Sequence, residues 1–111
     1  MLWLRFALVA ALVQLTSTPV AAASFGEFMS WCTGANARPG LCSGYLATYL
    51  EGLASPDQSL NNGLRACVPE PADRDELMSL IRAYAEANPS SSALPGFAGV
   101  GEALKDRYPC K

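Results

Sequence analysis

Pro71-Ala72-Asp73-Arg74-Asp75-Glu76-Leu77-Met78-Ser79-Leu80-Ile81-Arg82-Ala83-Tyr84-Ala85-Glu86-Ala87-Asn88-Pro89 is the stretch that decides the fold class. Leu77, Leu80, Ile81 and Tyr84 recur at i, i+3, i+4 and i+7, the spacing that lines one face of an α-helix. The helix is expected to open around Pro71 or Ala72. Asp73, Asp75 and Glu76 fall in its first turns, where the helix dipole favours acids, and Asn88-Pro89 stops it.

Upstream, the same period returns twice. Ser24 followed three residues later by Glu27 is a capping-box pattern, and Phe25, Phe28, Met29 and Cys32 then mark the face of a short first helix. Gly34 and residues 36–40 end it. A second helix starts near Pro39-Gly40, with Leu41, Cys42, Tyr45, Leu46, Tyr49, Leu50 and Leu53 as a broad apolar stripe. Gly44 inside it costs about 1 kcal/mol relative to alanine, an expense that close approach of a neighbouring helix would offset. Residues 55–66 are dense in turn formers and make the longest polar interruption. Downstream, Leu94, Phe97, Val100, Leu104 and Tyr108 keep helical spacing, but Pro95, Gly96, Gly99 and Gly101 interrupt the first half. Only 101–107 is therefore expected as helix. No useful strand-like alternation occurs. The fold class is all-α: a small bundle of about four short helices stapled by two disulfides.

The chain has 111 residues, and 17 of the first 23 are hydrophobic against 39 of the remaining 88. Arg5, an apolar run from Phe6 to Leu15, a polar stretch with Pro19, and Ala21-Ala22-Ala23 form the zones of a signal peptide. The boundary is placed at 1–23, with a mature domain of 24–111. Ten apolar residues are too few to span a bilayer, and no cysteine near the cleavage site argues for a lipid anchor. Export leaves no membrane segment and suits a periplasm.

The mature part holds 7 basic and 10 acidic residues, a balance opposed to nucleic-acid binding. Its four cysteines, Cys32, Cys42, Cys67 and Cys110, are an even set in a short exported chain and read as two disulfides. Zinc is the rival, but no C-x-x-C pair and no histidine support a metal site. Of three possible connectivities, Cys42–Cys67 with Cys32–Cys110 is preferred, because long loops constrain the unfolded chain most.

The chain contains no histidine, which removes the commonest general base. The acidic cluster Asp73, Asp75 and Glu76 reads as a helix N-terminus. The serines have no activating partner, and no glycine loop has the phosphate-binding context. No residue takes a catalytic role, no cofactor or metal is expected, and binding is the default function. The candidate contact residues are Asp57, Gln58, Asn61, Asn62 and Arg65, on the long polar loop anchored at Cys67.

Taken in order, Trp31-Cys32, Cys42-Ser43-Gly44-Tyr45-Leu46 with Gly52 seven residues beyond Tyr45, Cys67-Val68-Pro69, Asn88-Pro89, and Ala103-Leu104 leading to Tyr108-Pro109-Cys110 form one series. From Phe25 to Cys110 it resembles the Rap/Tai-type immunity proteins of type VI secretion systems. The resemblance implies a helical periplasmic protein that binds and inhibits a peptidoglycan amidase delivered by neighbouring cells, commonly as a homodimer, with an inter-helix loop entering the toxin's groove. The matching positions are scaffold residues, so toxin contacts do not transfer. The competing reading is a small acid-activated stress chaperone, or another envelope binding module with no toxin partner.

Overall fold

A computed structural model describes residues 23–56, 64 and 66–110. Four α-helices follow in order: α1 (Phe25–Cys32), α2 (Pro39–Ala54), α3 (Arg74–Ala87) and α4 (Gly96–Leu104), with a 3-10 helix, Pro89–Ala93, between the last two. Among the described residues the only β-type pairing is an isolated antiparallel bridge between Ser24 and Pro95. The all-α expectation therefore holds. No helix of the described residues is long and apolar enough to cross a membrane.

Local signals set the helix starts. Ser24 caps α1, its Oγ accepting from Glu27 N at 3.1 Å. α2 has no side-chain cap but carries Pro39 in its first turn, where a missing N–H is harmless. α3 begins slightly later than its composition suggests, at Arg74, because Asp73 caps it rather than joining it. Asp73 Oδ1 accepts from Asp75 N at 2.9 Å and Glu76 N at 3.4 Å. At the other end Asn88 Nδ2 donates to Tyr84 O at 3.0 Å. Ser91, in the 3-10 helix that the sequence does not announce, is buried and donates its hydroxyl to Asn88 O at 2.6 Å.

α1 packs against α2 and α4, α3 packs against α4, and the 3-10 helix lies across α1 and α3. Phe25, Phe28, Leu46, Tyr49, Leu77, Ile81, Val100 and Leu104 fill the interior. The α3 stripe is read correctly at Leu77 and Ile81, with Leu80 and Tyr84 half-buried. The α2 stripe is narrower than expected: Cys42, Leu46 and Tyr49 are buried, but Leu41 is 44% exposed. An aromatic cluster centres on Tyr45, whose ring stacks on Phe28 at 4.7 Å and meets Phe97 at 4.8 Å and Trp31 at 5.9 Å.

Three expectations are corrected. The disulfides are Cys32–Cys42 and Cys67–Cys110, not Cys42–Cys67 and Cys32–Cys110. Loop entropy acts on the unfolded chain; the folded chain decides which cysteines are neighbours. A tight return, closed by Arg38 N donating to Trp31 O at 2.8 Å with Gly34 at φ +83°, brings the start of α2 back to the end of α1. Cys67 N donates to Tyr108 O at 2.9 Å, which lays the segment before α3 beside the chain's end.

The last helix spans 96–104 rather than 101–107. Its glycines are sites of contact, not breakage. A Cβ on Gly96 would strike Tyr45 and the Ala23 carbonyl, and one on Gly99 would strike Phe25. Burial of this face outweighs the poor propensity of glycine, which is a weak local term. Gly44 is the reverse case. Among the described residues nothing lies within 4 Å of a Cβ built there, so no neighbouring helix among them offsets its cost.

Candidate functional site

Asp57, Gln58, Asn61, Asn62 and Arg65 lie outside the described residues, but the two ends of their loop are defined. Tyr49, buried on α2, donates its hydroxyl to Leu64 O at 3.0 Å. A Leu64 methyl sits 3.0 Å from the position of a Cβ on Gly52. Gly52 thus admits the returning chain against the last turn of α2. Burial pushes the Tyr49 phenol well above its ordinary pKa, so it remains a neutral donor across the physiological range. Ala66 follows, fully buried, and Cys67 is tied to Cys110. The chain therefore re-enters the bundle at a fixed point, Leu64 to Cys67.

Beside those points a groove of about 780 Å³ opens between the C-terminal half of α2 and residues 68–74. Ala47, Leu50, Leu53 and Ala54 form one wall, and Val68, Pro69, Pro71 and Ala72 the other. Glu51, Glu70 and Arg74 stand at its edge and are exposed. Apolar walls with a charged edge are the composition of a protein-contact surface. Arg74 also borders a second recess of about 470 Å³, where Trp31, Leu46 and Met78 meet the Cys32–Cys42 bridge and Arg82.

Neither recess assembles a nucleophile with a base. Among the described residues no group of three or more acidic or cysteine side chains is placed to hold a metal. The acidic residues at the start of α3 have structural employment: Asp73 caps, and Glu76 reaches Arg107 at 3.6 Å. Tyr45 is held above its ordinary pKa by burial and then by the nearby Glu27 charge, which leaves it a neutral packing residue. The groove is not legible in the sequence, because its walls come from two segments separated by the polar loop. Leu50 and Leu53 are visible only as part of a core stripe.

The model of the family described as Rap1a immunity proteins matches residues 24–110, from the cap of α1 through the second disulfide. The chain belongs to the Rap1a immunity protein family. The match takes in all four helices and all four cysteines of the fold. Membership in the Rap1a family points to a toxin immunity protein, an inhibitor that acts by binding rather than an enzyme. No curated protein and no solved structure matches the chain.

Proposed function

We propose that this Rap1a-family chain is an exported immunity protein that binds and inhibits a peptidoglycan amidase toxin of a type VI secretion system in the periplasm, so protecting the cell that makes it. The family match over residues 24–110 carries the reading. The residues support it in three ways. A leader of signal-peptide pattern delivers the chain to the compartment where such a toxin acts. Two disulfides suit an oxidising compartment and hold the binding platform rigid, which lowers the entropic cost of association.

The third support is electrostatic. The assigned contact surface comprises Asp57, Gln58, Asn61, Asn62 and Arg65 of the loop, together with the groove between α2 and residues 68–74. Glu51 and Glu70 at its edge, on a chain of formal net charge −2, suit a partner segment carrying Lys or Arg beside an aliphatic side chain. The open face of α2 at Gly44 and Leu41 is available to a second copy, in keeping with a homodimer.

The test is inhibition of the amidase encoded beside this chain's gene, assayed on purified peptidoglycan, with affinity measured by calorimetry. Stoichiometric inhibition is expected. Asp57→Ala and Asn61→Ala should weaken binding, and Glu51→Lys with Glu70→Lys should weaken it by at least about tenfold, equal to ~1.4 kcal/mol. An amidase that digests peptidoglycan equally well with the protein in excess overturns the reading. Full inhibition with unchanged affinity in all three variants overturns only the assigned surface.

A further inference from the structure

We infer that the second recess is a docking site for an extended acidic segment of a partner protein, one that carries two carboxylates four residues apart with an apolar side chain midway. The site is separate from the acidic-edged groove and does not depend on the toxin reading. The observation is a concentration of unpaired cations. Of the basic residues described, Lys105 pairs with Glu102 and Arg107 with Glu76. The other three, Arg38, Arg74 and Arg82, are exposed and have no ion-pair partner among the described residues. Arg74 and Arg82 line the recess, and Arg38 lies between its lining residues Ala37 and Pro39. Asp75 is the one acid in that lining. A chain of formal net charge −2 thus gathers its described unpaired cations around one hollow.

The walls say what kind of anion fits. Arg74, Met78 and Arg82 stand at i, i+4 and i+8 of α3 and form one row along the helix surface. The two arginines are therefore about 12 Å apart along the helix axis. Opposite them are Trp31 and Leu46, on helices tied together by the Cys32–Cys42 bridge. Trp31 and Met78 are half-buried, so each keeps a face open to the recess's surroundings.

A phosphate or a lone carboxylate would leave the Met78 thioether and the Trp31 ring without a partner. An extended peptide uses both. Its residues i and i+4 are about 13 Å apart and share a face with i+2. Carboxylates at the outer positions meet the guanidinium groups, which bind carboxylate through two parallel hydrogen bonds. An aromatic side chain between them falls on Met78, where a sulfur–aromatic contact is favourable, and the volume of about 470 Å³ accommodates it. The disulfide fixes α1 to α2 before the segment arrives, which lowers the cost of ordering the site.

The experiment titrates the oxidised protein with the blocked peptide Glu-Ser-Phe-Ser-Glu at low salt, followed by proton–nitrogen correlation NMR. Saturating shifts are expected at the Trp31 indole and at the amides of Ala37, Ser43 and Met78. Arg82→Glu, and the milder Arg82→Gln, alter an exposed side chain with no bonded partner and should stay folded by circular dichroism. Arg82→Glu should weaken the peptide at least about tenfold, whereas Lys105→Glu, the same charge change outside the recess, should leave its affinity as it is. Ser-Glu-Phe-Glu-Ser, with its acids on the face opposite the phenylalanine, should bind more weakly; equal affinity overturns the assigned spacing. Absence of saturating shifts overturns the proposal, and so does equal affinity for Gln-Ser-Phe-Ser-Gln, which would make the hollow merely apolar. If inorganic phosphate or vesicles of phosphatidylglycerol saturate the same resonances more tightly than the peptide, the site takes a free anion or a lipid and the protein-segment assignment falls.

Discussion

Gly44→Ala and Gly99→Ala are the same chemical change inside two helices, and the packing gives them opposite signs. Both gain helix propensity, about 1 kcal/mol for alanine over glycine. At Gly44 the new methyl meets nothing within 4 Å, so the gain is kept and Tm should rise by about 4–8 °C. At Gly99 the methyl would be driven into Phe25, whose own Cβ lies 2.7 Å from the new atom. Phe25 has nowhere to retreat. It is fully buried, its N–H is bonded to Leu94 O, and its ring lies 6.1 Å from Tyr84 and 6.4 Å from Phe28. Overpacking of this kind costs typically about 1–3 kcal/mol. With a ring and a helix start both fixed, the upper end applies. After the propensity gain, a net loss of about 2 kcal/mol remains, or roughly 8–16 °C in Tm. The assay is thermal and urea unfolding of the disulfide-intact domain followed by circular dichroism, with m unchanged as the check that the unfolding reaction is the same. A Gly99→Ala protein as stable as the parent refutes the close-packing account of α4. A destabilised Gly44→Ala protein refutes the open face of α2.

Tyr49→Phe removes the bond to Leu64 O and should cost about 1 kcal/mol, read as a lower urea midpoint. The parent should also lose stability as pH rises above about 10: the unfolded phenol ionises there while the folded one holds its proton, so the unfolded state binds fewer protons. The Phe variant should lack that part of the alkaline decline, and identical alkaline profiles for the two proteins would count against the buried phenol. Replacing Cys67 and Cys110 by alanine opens a separation of 43 residues and should cost about 4 kcal/mol in the loop-entropy account, against about 3 for the separation of 10 between Cys32 and Cys42; the reverse order of urea midpoints contradicts it. Asp73→Ala strips the cap of α3 and should cost about 1 kcal/mol, whereas Asp75→Ala, whose side chain makes no such bond, should cost less by the same urea assay.

The helices α1, α2 and α3 were legible in the sequence because their signals are local: a capping serine, a proline in the first turn, and apolar residues at helical spacing. α4 was legible only in its second half. Gly96 and Gly99 look like breakers until Phe25, Tyr45 and Ala23 are brought against them, and that juxtaposition is tertiary. The disulfide pairing failed for a related reason, since it depends on where a tight return at Gly34 sends the chain. The groove walls were present as letters, Leu50 and Leu53 on one side and Val68 and Ala72 on the other. Nothing in the spacing says that the two segments face each other with a gap.

The position of the groove follows from how the loop between α2 and α3 is held. A long polar loop is a poor binding element if ordering it must be supplied by the partner. Here its returning end is fixed before any partner arrives, by Tyr49 and Gly52 against Leu64 and by the Cys67–Cys110 bridge just beyond. Neither anchor uses a groove-wall side chain, because Tyr49 points inward while Leu50 and Leu53 line the recess. If the proposed contact surface holds, substitutions at Glu51 and Glu70 alter the edge of the groove without touching the core. That separation is what an immunity scaffold requires if its surface is to follow a changing toxin while the bundle beneath stays the same.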